Sequence, residues 1–121
     1  MAKVLVVDDS LITRTQLQEA LGDQGISAVI VGDAMSALEM VREDSEIELI
    51  VSDVHMPHMD GIEFITKVRD DFGQRDIKVI MLTTEDSRIL KERAKDLNII
   101  GWVVKPMNPN LAQLIKRVLG Q

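Results

Sequence analysis

Three features of the sequence predict an α/β fold built from five strand-plus-helix units: short, nearly continuous apolar runs, helical periodicity between them, and chemically reactive residues where the runs end. The expected strands are Lys3–Asp8, Ser27–Val31, Glu48–Asp53, Lys78–Thr83 and Ile100–Val104, the second being the weakest. Their Val, Ile, Leu and Met residues run together instead of alternating with polar ones, which is how strands covered on both faces read. Between them the apolar residues recur every three to four positions: Leu17, Ala20 and Leu21; Ala34, Ala37, Leu38 and Val41; Ile65, Val68 and Phe72; Leu90, Ala94 and Leu97. The last segment carries Leu111, Leu114, Ile115, Val118 and Leu119 on one stripe. Asp60-Gly61-Ile62-Glu63 has the form of a capping box, and Asn108-Pro109 that of an N-cap with proline at the first helical position. Right-handed crossovers between parallel strands then require an open sheet with helices on both faces.

The 121 residues suffice for one domain, expected to span residues 1–121, and no linker or low-complexity stretch divides them. With 45% hydrophobic and 28% charged residues the chain is expected to fold as a globular protein. The absence of cysteine excludes disulfides, thiolate metal sites and a cysteine nucleophile. Asp8 and Asp9 interrupt the early apolar run too soon for a signal peptide or membrane span, so a cytoplasmic location without membrane contact is expected. A formal net charge of −6 argues against binding nucleic acid, which relies on clustered Lys and Arg.

In open parallel sheets, ligands bind beyond the carboxyl ends of the strands, where the strand order reverses. Those ends carry Asp8 and Asp9, Asp53, Thr83 and Thr84, and Lys105. If the strand order is 2-1-3-4-5, the first and third strands are neighbours and the three aspartates share a cleft. Carboxylates packed so closely must take up protons or be joined by a cation. Mg2+ suits them, because it favours oxygen ligands and keeps positions for water and a phosphate oxygen. Lys105 and Thr83 could then neutralise the remaining oxygens of a phosphoryl group that the Asp53 carboxylate attacks. Taken singly, each residue has a plainer structural reading: Asp9 or Ser10 as a helix cap, Asp53 as a turn residue, Lys105 as a solvated ammonium. Their joint placement at the ends of separate strands is what a structural account leaves unexplained.

The motifs VVDDS at 6–10, SDVHMPHMDG at 52–61, LTT at 82–84 and KP at 105–106 resemble, in order and over nearly the whole chain, the receiver domain of two-component response regulators of the single-domain CheY type. The resemblance implies a doubly wound, flavodoxin-like (βα)5 sheet of order 2-1-3-4-5. It implies Asp53 as phosphoacceptor, Asp8 and Asp9 as the acid pair around Mg2+, with the His55 backbone carbonyl as a further ligand, Thr83 as the switch hydroxyl and Lys105 as the phosphoryl contact. Lys105-Pro106 is expected to be cis. Trp102 takes the place of the aromatic that swings inward on activation. His55 and Glu85 occupy two rim positions that tune phosphate loss, and Thr84 either shapes access or simply ends the strand.

His55 and His58 are not expected to bind metal through their rings, since proline between them disfavours a helical face that would align both. Met56, Met59 and Met107 are read as adaptable packing. The implied partners are a histidine kinase as phosphodonor and a downstream protein, with a flagellar motor switch protein ahead of a phosphorelay histidine domain. The surface they would read includes Lys91, Trp102, Val104 and Lys116. A monomer is expected, acting as a switch and not as a conventional enzyme. A haloacid dehalogenase-type phosphohydrolase would need an acid where His55 stands. A flavodoxin would need a hydroxyl-rich first loop and more aromatics. A constitutive docking module would not need all five site positions.

Overall fold

A computed structural model of the chain describes residues 3–84, 87–105 and 110–120. Along the chain lie β1 (Lys3–Val7), α1 (Leu11–Asp23), β2 (Ser27–Val31), α2 (Ala34–Glu43), β3 (Ile47–Asp53), α3 (Gly61–Phe72), β4 (Lys78–Thr83), α4 (Arg88–Arg93), β5 (Gly101–Val104) and α5 (Leu111–Val118). The strands form one sheet in the order β2-β1-β3-β4-β5, parallel throughout. The order reverses between β1 and β3, and this reversal opens the cleft at their carboxyl ends.

The continuous apolar runs follow from two cores, one on each side of the sheet. Val4, Val6, Leu49, Val51, Ile80 and Leu82 face Leu17 and Leu21 of α1 and Leu111, Ala112 and Ile115 of α5. Their alternates Leu5, Val7, Ile50, Val79 and Met81 face Ala37 and Val41 of α2, Phe64, Ile65 and Val68 of α3, and Leu90 of α4. Because neighbouring strand residues point to opposite sides and both sides are dry, no polar position is needed in between. The edge strand β2 is half-buried along its length, which accounts for its weaker apolar signal.

Helix starts follow local chemistry. Ser10, Asp33 and Ser87 each accept an N–H from the third residue on, capping α1, α2 and α4. At α3 the expected capping box is present: Asp60 Oδ1 accepts the Glu63 N–H at 2.8 Å, and Glu63 Oε1 accepts the Asp60 N–H at 3.2 Å. The described part of α5 starts at Leu111 with Asn110 as N-cap; Asn108 and Pro109, like Pro106 and Met107, lie outside the described residues.

Two arginines tie the far end of the sheet together. Arg69 donates to the Leu97, Ile77 and Asn98 carbonyls, and Arg75 donates to those of Val41, Asp44 and Ile47. Both satisfy backbone carbonyls at the end opposite the cleft and leave the carboxyl ends of the strands free for chemistry. Among the described residues, no helix is long and apolar enough to cross a membrane.

Candidate functional site

Asp8 follows the last residue of β1 and Asp53 is the last of β3, and Val7 pairs in register with Ser52 across these two strands. Neighbouring strand ends therefore deliver both carboxylates to one place. Asp8 is fully buried and Asp53 is 3% exposed, whereas Asp9 is exposed at the rim. One carboxylate oxygen from each of the three lies within 4.8 Å of the others. The expected convergence of Asp8, Asp9 and Asp53 is thus present.

The fourth component arrives from β5. Lys105 Nζ stands 2.7 Å from Asp8 Oδ2 and 3.4 Å from Asp53 Oδ2, with its side chain only 15% exposed. Its own N–H donates to the Thr83 carbonyl at 2.7 Å, locking the end of β5 to the end of β4. Thr83 is 1% exposed, and the residue before it, Leu82, pairs with Asp53 across β3 and β4. Ammonium and carboxylates thus meet in a single cleft, with Thr83 buried at the end of the adjoining strand.

The electrostatics are strained. Burial first, and the Asp8 charge second, raise the Asp53 pKa, and Lys105 and the His55 N–H offset this only in part. Burial alone would lower the Lys105 pKa, but its ion pairs with Asp8 and Asp53 win and hold it above the ordinary lysine value. One ammonium, paired with buried Asp8 Oδ2 at 2.7 Å and with Asp53 Oδ2 at 3.4 Å, serves a cluster of three carboxylates. An acid set of this kind, three clustered carboxylates with one ammonium between them, offers hard oxygen ligands short of positive charge and fits a divalent cation such as Mg2+.

Backbone geometry shapes the rest of the cleft. The His55 N–H donates to Asp53 Oδ1 at 3.3 Å, while His55 and His58 are exposed on the β3–α3 loop. Gly61 brings the start of α3 against the end of β3: its N–H donates to the Val54 carbonyl at 2.8 Å, and a Cβ there would sit 2.0 Å from the Asp53 carbonyl oxygen. Only glycine permits that approach. Met56 is buried and Met59 packs on the α2–α3 core, so both act as packing. Glu85 lies outside the described residues, and Thr84 is exposed at the rim.

Trp102 is half-buried against the core beneath α2, α3 and α4. It pairs in register with Met81, and Thr83 lies two residues further along β4. Strand alternation therefore puts Thr83 and Trp102 on the same face of adjacent strands.

Contacts that sequence reasoning did not anticipate hold the first acidic loop. The Ser10 N–H donates to Asp8 Oδ1 at 2.8 Å, Asp8 N–H donates to the Val31 carbonyl at 3.2 Å, and Arg14 Nη1 donates to the Asp8 carbonyl at 2.8 Å. Arg14 lies four residues after the cap Ser10, so helical spacing alone places it over the same turn.

A doubly wound sheet with an acid cluster, a lysine and a buried threonine at its switch point is the arrangement expected of a receiver domain. The family model for the response regulator receiver domain matches residues 4–119, and the chain belongs to that family. The chemotaxis protein CheY1 of Helicobacter pylori is 31% identical over 98% of this chain and 97% of its own length. Among solved structures, the chemotaxis protein CheY4 of Vibrio cholerae is 39% identical, covers 98% of both chains and superposes with a TM-score of 0.88. The receiver domain of Saccharomyces cerevisiae Ssk1, solved with the histidine phosphotransfer protein Ypd1, is 25% identical with a TM-score of 0.83, covering 97% of this chain and 86% of that one. The chain is therefore a CheY-like receiver domain of two-component signalling.

Proposed function

We propose that this chain, residues 1–121 acting as one domain, is a phosphorylation-operated switch whose acceptor is Asp53. The observation that carries this reading is the convergence of Asp8, Asp9 and Asp53 within 4.8 Å beside Lys105. Asp8, Asp9, Asp53 and the His55 backbone carbonyl are the candidate holders of Mg2+, which when bound supplies charge neutralisation for incoming phosphate oxygens.

The Asp53 carboxylate attacks phosphorus of a phosphohistidine on a partner kinase. An O–P bond forms as the P–N bond breaks, and the imidazole leaves with the electron pair. Lys105 holds an equatorial phosphoryl oxygen, and in taking it up relaxes the ion pair with Asp53. Thr83, next to the acceptor on β4, supplies a hydroxyl to the same group, and His55, Thr84 and Glu85 govern entry of the water that later removes it. Phosphorylation adds negative charge where Lys105 and Thr83 can meet it, and this biases a two-state equilibrium. Trp102, on the same face as Thr83, reports and transmits the change. The chemistry changes the protein's own shape and releases no product to a pathway, so it is a switch and not a conventional enzyme.

The readout surface is α4, β5 and α5. These elements carry Arg88, Lys91 and Lys116 together with exposed Ile89 and Val104, basic and apolar groups on a chain whose net charge is −6. The similarity to chemotaxis proteins over nearly their full length favours a flagellar motor switch protein as the cytoplasmic target of a monomeric domain. The likeness to the Ssk1 receiver, solved with a histidine phosphotransfer protein, supports phosphorelay as the second reading. Beryllofluoride with Mg2+ should change Trp102 fluorescence in the parent, and not in Asp53→Asn or Thr83→Ala. An unchanged signal in the parent, or an equal one in all three, would refute the switch.

A further inference from the structure

Asp9 is the exposed member of the acid set, so its aim depends on the backbone that presents it. That backbone is clamped at the preceding residue. The Asp8 N–H donates to the Val31 carbonyl at 3.2 Å, and the Asp8 carbonyl, which belongs to the peptide joining Asp8 to Asp9, accepts from Arg14 Nη1 at 2.8 Å. Next along from Val31 is Gly32, and a Cβ there would lie 2.9 Å from Arg14 Nη1 and 3.4 Å from its Cζ. The three atoms nearest that position all belong to the Arg14 guanidinium, which therefore sits in the space left by the missing side chain.

We infer that Arg14, seated in the clearance left by Gly32, is a positioning residue for the divalent-cation pocket. By fixing the plane of the Asp8–Asp9 peptide it orients Asp9 toward Asp8 and Asp53. The inference rests on the reading that these three carboxylates hold a divalent cation. Arg14 touches neither the cation nor the phosphoryl group; it acts through one carbonyl. Outer partners that orient ligands typically contribute about 10–100-fold to metal affinity.

Charge and geometry predict opposite signs, which makes the idea testable. Removing a guanidinium from beside a cation pocket must, by charge alone, tighten cation binding. Removing an orienting hydrogen bond must loosen it. Gly32→Ala keeps every charge and displaces only the far end of a flexible side chain, so it isolates geometry.

The experiment is a calorimetric titration of the full chain with Mg2+ alone, with circular dichroism to establish that each variant is folded. The parent binds; Gly32→Ala and Arg14→Ala each bind about tenfold more weakly. The double variant binds no more weakly than Arg14→Ala, because the added methyl then has no guanidinium to displace. Parent-like affinity in Gly32→Ala, tighter binding in Arg14→Ala, or additive losses in the double variant would each overturn the positioning role. A parent that binds no Mg2+ would instead overturn the cation-pocket reading, and the positioning role with it. Should Gly32→Ala fail to fold, the sign of the Arg14→Ala effect still decides.

Discussion

Replacing Lys105 with methionine should destabilise the metal-free protein at pH 7 and do so far less at pH 5. Lys105 Nζ sits 2.7 Å from fully buried Asp8 and 3.4 Å from Asp53, so its removal leaves two buried carboxylates without their compensating charge. Breaking a buried pair this way typically costs about 3–5 kcal/mol. The protein has a cheaper response, which sets the ceiling: one carboxylate takes up a proton. Relative to an ordinary aspartate near pKa 3.9, that costs about 4 kcal/mol at pH 7 and about 1.5 kcal/mol at pH 5. Asp53 is already raised by burial and by Asp8, and losing Lys105 raises it further. A carboxyl group with a raised folded pKa binds its proton in the folded state first. Stability is therefore regained as pH falls through that raised pKa, and the gain is complete below the unfolded value. Urea unfolding followed by Trp102 fluorescence in chelator-treated buffer measures this directly. The expected loss is about 3–4 kcal/mol at pH 7, shrinking by about 2.5 kcal/mol at pH 5. Equal losses at the two pH values would show that Lys105 does not balance the acid pair.

Other predictions address the surrounding framework. Gly61→Ala places a Cβ 2.0 Å from the Asp53 carbonyl oxygen, and because that neighbour is backbone, the cost should reach about 3 kcal/mol by urea denaturation. Arg93→Ala removes the partner 2.9 Å from Asp60 Oδ2; with 44% of the arginine side chain exposed, the loss should stay under about 1 kcal/mol and vanish in high salt. Burial acts to raise the Asp60 pKa, but the Glu63 N–H and Arg93 outweigh it and the net shift is downward. The stability difference between the parent and Asp60→Asn, which keeps a capping oxygen, should therefore be fully present above the ordinary aspartate range. It should fade as pH falls through the lowered folded value. A difference that grows on acidification would contradict that assignment.

The sheet was legible because both of its faces are covered, so runs such as Val4–Val7 carry the strand signal without interruption. Segments where burial and helical period part company were harder. The described α4 ends at Arg93, yet Ala94 and Leu97 are buried in the non-helical stretch that follows, which passes through Asn98 at φ 56°. Leu114 lies on the apolar stripe of α5 but is 37% exposed. Leu11 and Ile12 open α1 toward solvent, where no periodicity argument would place them.

At the site, the charged and hydroxyl side chains were readable because strand ends converge wherever the strand order reverses. Trp102 shares a strand face with Thr83, and His55 and His58 are exposed on their loop. What the sequence concealed was the backbone support. Arg14 and Gly32 are separated by a helix and a strand, and nothing in their spacing reveals that one fills the space left by the other. Gly61 read as part of a helix cap, whereas its closest demand is the Asp53 carbonyl packed against its Cα.

The central claim, that Asp53 is a phosphoacceptor served by the surrounding acids and Lys105, is tested most directly by intact mass. The protein is incubated with acetyl phosphate and Mg2+ and weighed alongside Asp53→Asn. A single phosphoryl adduct in the parent, mapped to Asp53, lost on chelation of Mg2+ beforehand and absent from the variant, is the predicted result. An unmodified parent, or an adduct that survives in Asp53→Asn, would contradict it.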